Sequence, residues 1–334
     1  MTCAIPAALP NGAALMNRFA RTLMDVILHL GAHRTATTTF QRYLQDHRDD
    51  LAKRAVGFWD LKRVRKDIFP GLFRNSAAPK GRNVSQRAQG RIKLHAEYER
   101  QNGVKQLLIS DENFLGRPIE NLRSGRLYPG AGERTARISA AFSEEIRRIV
   151  ISIRSQDLWW ASTAALTVMR GHAVPSPARF EAISKDKRTW RDVITDLACA
   201  APSAEIIVVP FENAPGYPNR LLGAALEGDV PTDKNRRWLN ASAGVQTLRA
   251  EVIARGENPD LIPDSYGRWL PFNQEQAARL RENYADDLYW LTAGADGLAT
   301  LTQDTRPKRA DKSRPMGEMN KGQEHDKGQL AQYR

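Results

Sequence analysis

Cysteine is scarce in this chain, which has only Cys3 and Cys199 among its 334 residues. Two cysteines cannot build a disulfide framework. Long apolar runs are missing as well, because no stretch approaches the roughly 20 apolar residues of a membrane-spanning helix. The N-terminal segment is interrupted by Pro6, Pro10 and Gly12, so it lacks the continuous apolar core of a signal peptide. These absences disfavour a disulfide-stabilised secreted protein and a membrane protein, and we expect a cytoplasmic one.

Motifs that read nucleic-acid sequence are also missing: the chain has no zinc-ligand spacing, RNA-recognition motif or helix-turn-helix signature. Basic residues nevertheless outnumber acidic ones by 50 to 38, and within residues 53–105 the ratio is fourteen to four. Such a segment can bind a polyanion or an anionic membrane, or can simply be a solvated surface. A non-enzymatic polyanion-binding or nucleic-acid-binding protein is therefore one alternative. We associate the charge more readily with an anionic substrate or cofactor than with sequence-specific nucleic acid.

Short apolar runs alternate with amphipathic segments along the chain. The runs predict buried parallel strands at Val26–Leu30, Leu107–Ile109, Ile149–Ile153 and Ile206–Val209, with a weaker fifth at Ala55–Trp59. The segments between them predict helices at Thr37–Arg54, Thr135–Glu145, Gln156–Arg170, Thr189–Ala200 and Pro218–Glu227. This order is typical of a three-layer, doubly wound α/β domain with a mainly parallel sheet of about five strands.

The domain is predicted to cover residues 25–300. Residues 1–24 are expected to form a poorly ordered extension, and residues 301–334 a disordered basic tail with almost no aliphatic side chains. Residues 71–92 and 114–132 show little periodicity, so both are predicted to be loops, the first of them a mobile loop or lid. Substrate contacts are expected on such loops.

An anion site is predicted where the first strand ends. After Val26–Leu30 a tight turn follows, and Thr37, Thr38 and Thr39 then open a helical pattern. This order brings backbone N–H groups and the positive end of a helix to one point. Arg34 in the turn adds a fixed charge with a forked set of donors.

The turn departs from the Walker pattern G-x-x-x-x-G-K-[ST] in two places. Ala36 stands where the second glycine is expected, and Thr37 stands where the lysine is expected. Without that lysine, the β- and γ-phosphates of a nucleoside triphosphate lose their main cation. A P-loop-like kinase of nucleotides or small molecules is therefore the second choice among enzymes, with Asp111 as its candidate magnesium ligand.

A second phosphate motif follows the predicted strand Ile149–Ile153. Arg154 ends that strand, and Ser162 comes eight residues later in the predicted helix. Two helical turns separate them, so the arginine and the serine can meet over one phosphate. Ligands bind beyond the carboxyl ends of strands in sheets of this class, and we expect both motifs to share one cleft.

Together the two motifs resemble those of the PAPS-dependent sulfotransferases, where PAPS is 3′-phosphoadenosine 5′-phosphosulfate. Residues 34–38, Arg-Thr-Ala-Thr-Thr, are similar to the family loop K-[ST]-G-T-T that binds the 5′-phosphosulfate. Arg154 and Ser162 are similar to the pair that holds the 3′-phosphate. Weaker similarities extend the resemblance over about residues 25–295, at Gln106–Leu115, Arg236–Ser242 and Phe272–Leu291.

The resemblance implies a P-loop NTPase-like sulfotransferase architecture. It also implies an enzyme that moves the sulfuryl group of PAPS to an acceptor hydroxyl or amine, without a metal. A small molecule or a bacterial glycan or glycolipid is the expected acceptor. The implied cofactor-binding residues are Arg34, Thr35, Ala36, Thr37, Thr38, Thr39, Arg154 and Ser162. Arg34 would act as an electrostatic clamp, since arginine keeps its proton at neutral pH.

The general base has to be a carboxylate or a histidine near the loop. Glu112 is the first candidate, because it follows a predicted strand end on the cleft side. His33 in the loop itself is the second candidate, and Asp111 is the third. His29 alternates inside the first strand and is predicted to be a hydrogen-bonded core histidine.

Overall fold

The computed structural model describes residues 24–73, 79–143, 145–213, 216–226, 228–232, 239 and 241–302, and it gives residues 79–82 as backbone only. Residues 1–23 of the predicted extension and residues 303–334 of the predicted tail lie outside this part of the chain. So do most residues of the weakly matching segment Arg236–Ser242.

Six parallel strands form one sheet in the described residues, in the spatial order β2-β3-β1-β4-β5-β6. Their bounds are β1 Asp25–His29, β2 Val56–Trp59, β3 Gln106–Ser110, β4 Ile146–Ile153, β5 Glu205–Pro210 and β6 Thr300–Leu301. The α/β class and the parallel sheet are confirmed, in a form compatible with a doubly wound fold. The sixth strand escaped prediction because two residues are too short to show a pattern, and it crosses the predicted boundary at residue 300.

Helices connect the strands. Those of the described chain are α1 Thr37–Asp46, α2 Arg48–Lys53, α3 Pro79–Gln101, α4 Pro118–Ser124, α5 Ala131–Ala141, α6 Gln156–Met169, α7 Pro177–Lys185, α8 Trp190–Ala200, α9 Pro218–Ala225, α10 Val245–Ala254 and α11 Gln274–Thr292. Short helical turns lie at Arg63–Ile68, Glu112–Leu115, Phe211–Asn213, Pro259–Leu261 and Ala295–Gly297. No helix of these ranges is long and apolar enough to cross a membrane.

Two segments that were predicted to be loops contain helices. Residues 79–92 belong to α3, whose buried side chains from residue 83 onward are Ser85, Ala88, Ile92 and Ala96. Small side chains on a mostly polar helix give a weak periodic signal. Residues 114–132 contain α4 and the start of α5, and Pro118 is the first residue of α4. Proline is favourable at that position because its missing N–H has no partner inside the helix.

Helices cover both faces of the sheet. Alternate residues of β1 point into two apolar layers, with Val26 and Leu28 in one and Ile27 in the other. The first layer contains Trp159 of α6, and the second contains Phe40 of α1. Since β1 is buried on both faces, it reads as a continuous apolar run.

Candidate functional site

The carboxyl ends of three neighbouring strands gather the predicted site residues. The last residue of β1, His29, is in register with Ser110 of β3 on one side and Val150 of β4 on the other. The segments that follow these strands therefore leave the sheet at the same edge, where ligands bind in open α/β sheets.

The loop after β1 holds two non-glycine residues in the left-handed region. Arg34 has a φ of 67°, and Ala36, which precedes the first residue of α1, has a φ of 63°. This conformation costs roughly 1–2 kcal/mol for an L-residue. Ala36 occupies the Walker glycine position, so the backbone keeps a glycine-like shape there although the side chain differs.

The side chain of Arg34 is held by two serines. Its Nε donates to Ser162 Oγ at 2.8 Å, and its Nη2 donates to Ser242 Oγ at 2.9 Å. The two hydroxyls also bond to each other. A loop, a buried helix and a distant segment thus fix one guanidinium.

Ser162 and Arg154 have different hydrogen-bond partners in the described residues, and the expectation that both hold one phosphate stays a prediction. Ser162 is 1% exposed, and its hydroxyl contacts Arg34 and Ser242. The guanidinium of Arg154 lies 4.8 Å from the ring centroid of Phe211, and its Nη1 donates to the backbone oxygen of Arg34 at 3.0 Å. The backbone oxygen of Arg154, just after β4, accepts a hydrogen bond from the indole N–H of Trp190 at 2.7 Å. Helical spacing predicted the position of Ser162 on α6. It did not indicate which groups Ser162 and Arg154 would each bind.

A cavity of about 360 Å³ opens beside the first turn of α1. We call it the arginine cavity, because Arg34, Arg154 and Arg268 line it. The remaining lining residues are Ala36, Thr37, Thr38, Phe211, Leu239, Ala241 and Ser242. No carboxylate belongs to this set of described residues, so the cavity is suited to an anion.

The three arginines influence one another. Burial lowers the pKa of Arg154 to about 10. The charges of Arg268 and Arg34 contribute to this lowering, whereas Glu212 and Asp157 act in the opposite direction. Burial also lowers the pKa of Arg34, together with the charges of Arg170 and Arg268. A bound polyanion would relieve this repulsion. No motif in the sequence pointed to Arg268, which reaches the site because its segment pairs with Gly244 through an antiparallel bridge.

The four threonines of the predicted phosphate loop differ in what they contact. Thr37 and Thr38 line the arginine cavity, whereas Thr35 and Thr39 are buried and hydrogen-bonded to the protein. Thr35 Oγ1 donates to Ala32 O at 2.6 Å, and Thr39 Oγ1 accepts from the N–H of Leu239 at 3.1 Å. Their hydroxyls therefore stabilise the loop.

A second cavity, of about 380 Å³, adjoins the first. We call it the Glu112 cavity; its lining comprises His33, Glu112, Arg170, Ala165, Leu166, Met169 and Ala243, together with Arg34, Thr37, Thr38, Ala241 and Ser242 from the arginine cavity. The two spaces thus meet at Arg34 and at the start of α1.

The Glu112 carboxylate is held by two donors. Its Oε1 accepts from Arg65 Nη2 at 3.0 Å, and its Oε2 accepts from Gln41 Nε2 at 2.9 Å. Burial disfavours the charged carboxylate, but the charge of Arg65 and the hydrogen bond from Gln41 favour it, and the pKa of Glu112 is lowered. Glu112 is therefore ionised at neutral pH and able to accept a proton.

The second base candidate, His33, has both ring nitrogens engaged. His33 Nε2 faces Asn113 Oδ1 at 3.1 Å, and because this oxygen can only accept, Nε2 carries the ring proton. In the neutral ring Nδ1 then accepts from the Tyr128 hydroxyl at 2.8 Å, and the same hydroxyl accepts from the backbone N–H of His33 at 2.9 Å. Burial lowers the pKa of His33 to about 4, although Glu112 and Asn113 favour the protonated ring. This neutral tautomer, assigned from the hydrogen bonds, offers no free lone pair to an acceptor.

The third base candidate, Asp111, is committed to an ion pair. Its carboxylate accepts two hydrogen bonds from Arg65, at 3.0 and 2.7 Å, and one from the N–H of Asn113 at 2.9 Å. Asp111 is 2% exposed. These contacts fix the turn that carries Glu112, which gives Asp111 a structural role. Among the described residues, no three His, Cys, Asp or Glu side chains are grouped as metal ligands would be.

His29 is a core histidine with one bond. Its Nδ1 lies 2.8 Å from Ser110 Oγ, whereas its buried Nε2 has no partner in the described part of the chain. Burial lowers the pKa of His29 to about 4, against the charge of Glu112. The predicted placement is correct, but only half of the expected hydrogen bonding is present.

Comparisons with protein-family models, with curated proteins and with solved structures each found no match to this chain. The function therefore has to be inferred from the chemistry of the two cavities.

Proposed function

We propose that the protein transfers the sulfuryl group of PAPS to a hydroxyl or amine of an acceptor. The observation that carries this proposal is the junction of the two cavities. A space lined by three arginines meets a space that holds an ionised carboxylate, and Arg34 belongs to both. An anionic donor on one side and a nucleophile on the other would come together at this arginine.

The arginine cavity fits the donor in size and charge. Its volume of about 360 Å³ falls in the range of roughly 300–1,000 Å³ common for small-molecule sites. Arg34 and the first turn of α1 would hold the phosphosulfate, while Arg154 and Arg268 would hold the 3′-phosphate. When bound, PAPS supplies an activated sulfuryl group on a phosphate leaving group. Ser162 would act through Arg34 by fixing its guanidinium.

The Glu112 cavity would receive the acceptor. Glu112 would take the proton of the attacking hydroxyl or amine, as a general base does. Gln41 and Arg65 orient its two oxygens. Arg34 would stabilise the negative charge that develops at the junction, because a preorganised cation acts strongly where water is excluded.

The other two classes find less support. A kinase would need a cation at Thr37 and a free acid for magnesium, and Asp111 is already bound to Arg65. A polyanion-binding surface would need free charges in residues 53–105. Several of its arginines are in ion pairs, among them Arg63 with Glu99 and Arg100 with Glu145.

Thermal-shift titration with 3′-phosphoadenosine 5′-phosphate (PAP) against ATP with magnesium tests the proposal. We expect saturating PAP to raise the melting temperature and ATP to raise it much less, since a ligand at 100 times its Kd stabilises by about 2.7 kcal/mol. Equal or greater stabilisation by ATP would reject the sulfotransferase in favour of the kinase.

A further inference from the structure

A third cavity of about 650 Å³ lies beside the turn that carries Glu112, and the proposed function leaves it unused. Three aromatic and three basic side chains dominate its lining: Phe69, Phe73, Phe114, Arg65, Arg117 and Arg134. We call it the phenylalanine cavity.

The aromatic wall is continuous. The rings of Phe69 and Phe114 stack with centroids 5.0 Å apart, and the ring of Phe73 lies 6.1 Å from that of Phe114. The guanidinium of Arg134 lies 3.9 Å from the Phe73 centroid. A flat or ring-shaped ligand would find both an apolar surface and a cation here.

The arginines of this cavity differ in how their charge is balanced. Arg65 is neutralised by Asp111 and Glu112. Arg134 donates to two backbone oxygens, those of Phe114 and Asn113, at 3.0 and 2.8 Å. Within the described ranges, neither Arg134 nor Arg117 forms an ion pair.

Charges of both signs lie near Arg134. Burial lowers the pKa of Arg134; Glu120 and Asp111 oppose this shift, whereas Arg117 and Arg137 add to it. The Glu120 carboxylate also accepts the backbone N–H of Arg117 at 3.2 Å, so it serves the start of α4. Arg137 is paired with Glu133. An anion placed between Arg117 and Arg134 would relieve the repulsion between these two guanidinium groups.

The same turn lines two cavities. Asp111 and Asn113 line the phenylalanine cavity, whereas Glu112, between them in the chain, lines the Glu112 cavity. Consecutive Cα atoms are only about 3.8 Å apart. Two hydrogen bonds run between the linings, from Arg65 to Glu112 and from His33 to Asn113. The two cavities therefore adjoin one turn, although they share none of the described lining residues.

We propose that the phenylalanine cavity is a subsite for an acidic, ring-bearing part of the acceptor. A carboxylate or sulfate group would bind Arg117 and Arg134, its ring would lie against Phe69, Phe73 and Phe114, and the reacting hydroxyl would lie near Glu112. The acceptor assignment rests on the proposed function, whereas binding of the anion to this cavity can be tested without it.

Calorimetric titration of the full chain with phenylphosphonate, in the presence of saturating PAP, tests the subsite. PAP keeps the probe out of the arginine cavity. We expect phenylphosphonate to bind and neutral benzyl alcohol to bind at least about tenfold more weakly, because a charge-assisted contact contributes roughly 1.5–3 kcal/mol. Arg117→Gln should weaken the binding of phenylphosphonate about tenfold. Arg123→Gln, at an exposed arginine of the helix α4 that Arg117 precedes, should leave this binding unchanged.

Equal affinity of Arg117→Gln and the parent protein for phenylphosphonate would overturn the subsite, as would equal binding of benzyl alcohol. Parallel titration with PAP separates the two proposals. Binding of PAP without phenylphosphonate rejects only the subsite. Binding of phenylphosphonate that depends on Arg117, without binding of PAP, keeps the anion site and rejects the sulfotransferase.

Discussion

Arg34 donates a 2.8 Å hydrogen bond from Nε to the hydroxyl of Ser162, a residue 128 positions later in the chain. The bond joins the loop after the first strand to the buried face of α6. It makes Ser162 a positioning residue for the arginine that both cavities share. Ser162 could bind a phosphate directly, or it could act only by positioning Arg34. The two roles predict different effects of Ser162→Ala on ligand binding.

Ser162→Ala should weaken the binding of PAP and of adenosine 5′-phosphosulfate by similar factors. The lost hydrogen bond contributes about 0.5–1.5 kcal/mol, and Arg34 would contact the 5′ group that both ligands carry. Calorimetry with the two ligands measures this, with Ser139→Ala as a control that removes a buried hydroxyl from α5. A loss confined to PAP would instead place Ser162 on the 3′-phosphate.

Arg154→Gln and Arg268→Gln should each weaken PAP far more than adenosine 5′-phosphosulfate. Only PAP carries the 3′-phosphate, and one charge-assisted contact contributes roughly 1.5–3 kcal/mol. Arg147→Gln at the amino end of β4 is the matched control, because this exposed arginine lies at the opposite edge of the sheet. Equal losses of affinity for both ligands would show that these arginines do not bind the 3′-phosphate.

Glu112→Gln should lower turnover by roughly 10²–10⁴ while PAP affinity stays nearly constant. The amide keeps the shape of the side chain but cannot accept the acceptor's proton. Because the pKa of Glu112 is lowered, the parent enzyme should show no rate change from Glu112 between about pH 6 and 8. Hydrolysis of PAPS or a panel of glycans provides the assay. Near-normal turnover of Glu112→Gln, beside an inactive His33→Ala protein that still binds PAP, would move the base to His33.

Acidification should destabilise the fold through its two buried histidines. His29 and His33 both have a folded pKa of about 4, below the unfolded value near 6.5. Between these values the unfolded chain binds more protons than the folded one. As the pH falls, the free energy of unfolding therefore decreases by up to about 1.4 kcal/mol per pH unit and per histidine. Melting temperatures from pH 8 to 5 measure this.

His29→Gln should flatten that pH dependence, since the amide does not titrate and still bonds to Ser110. His95→Gln is the control, because His95 is a histidine outside the two cavities. The explanation fails if His29→Gln and the parent protein lose melting temperature equally below pH 6.5.

The sequence by itself determined the parts that are encoded locally. The strands β1, β3, β4 and β5 read as branched apolar runs, because both faces of a parallel sheet are buried. Arg34, Glu112 and Arg154 each follow such a run within a few residues. Parallel pairing then brings strand ends to one edge, so their gathering there could be foreseen. The sulfuryl donor and the roles of these residues stay predictions.

Only the tertiary structure decided the partners of these residues. Arg268 joins the arginine cavity, Ser162 binds Arg34, and Tyr128 engages His33. Each contact spans a long stretch of chain and depends on how loops, helices and side chains pack together. Hydrophobic periodicity fixes which face of an element is buried, but it carries no information about which distant hydroxyl or guanidinium meets that face.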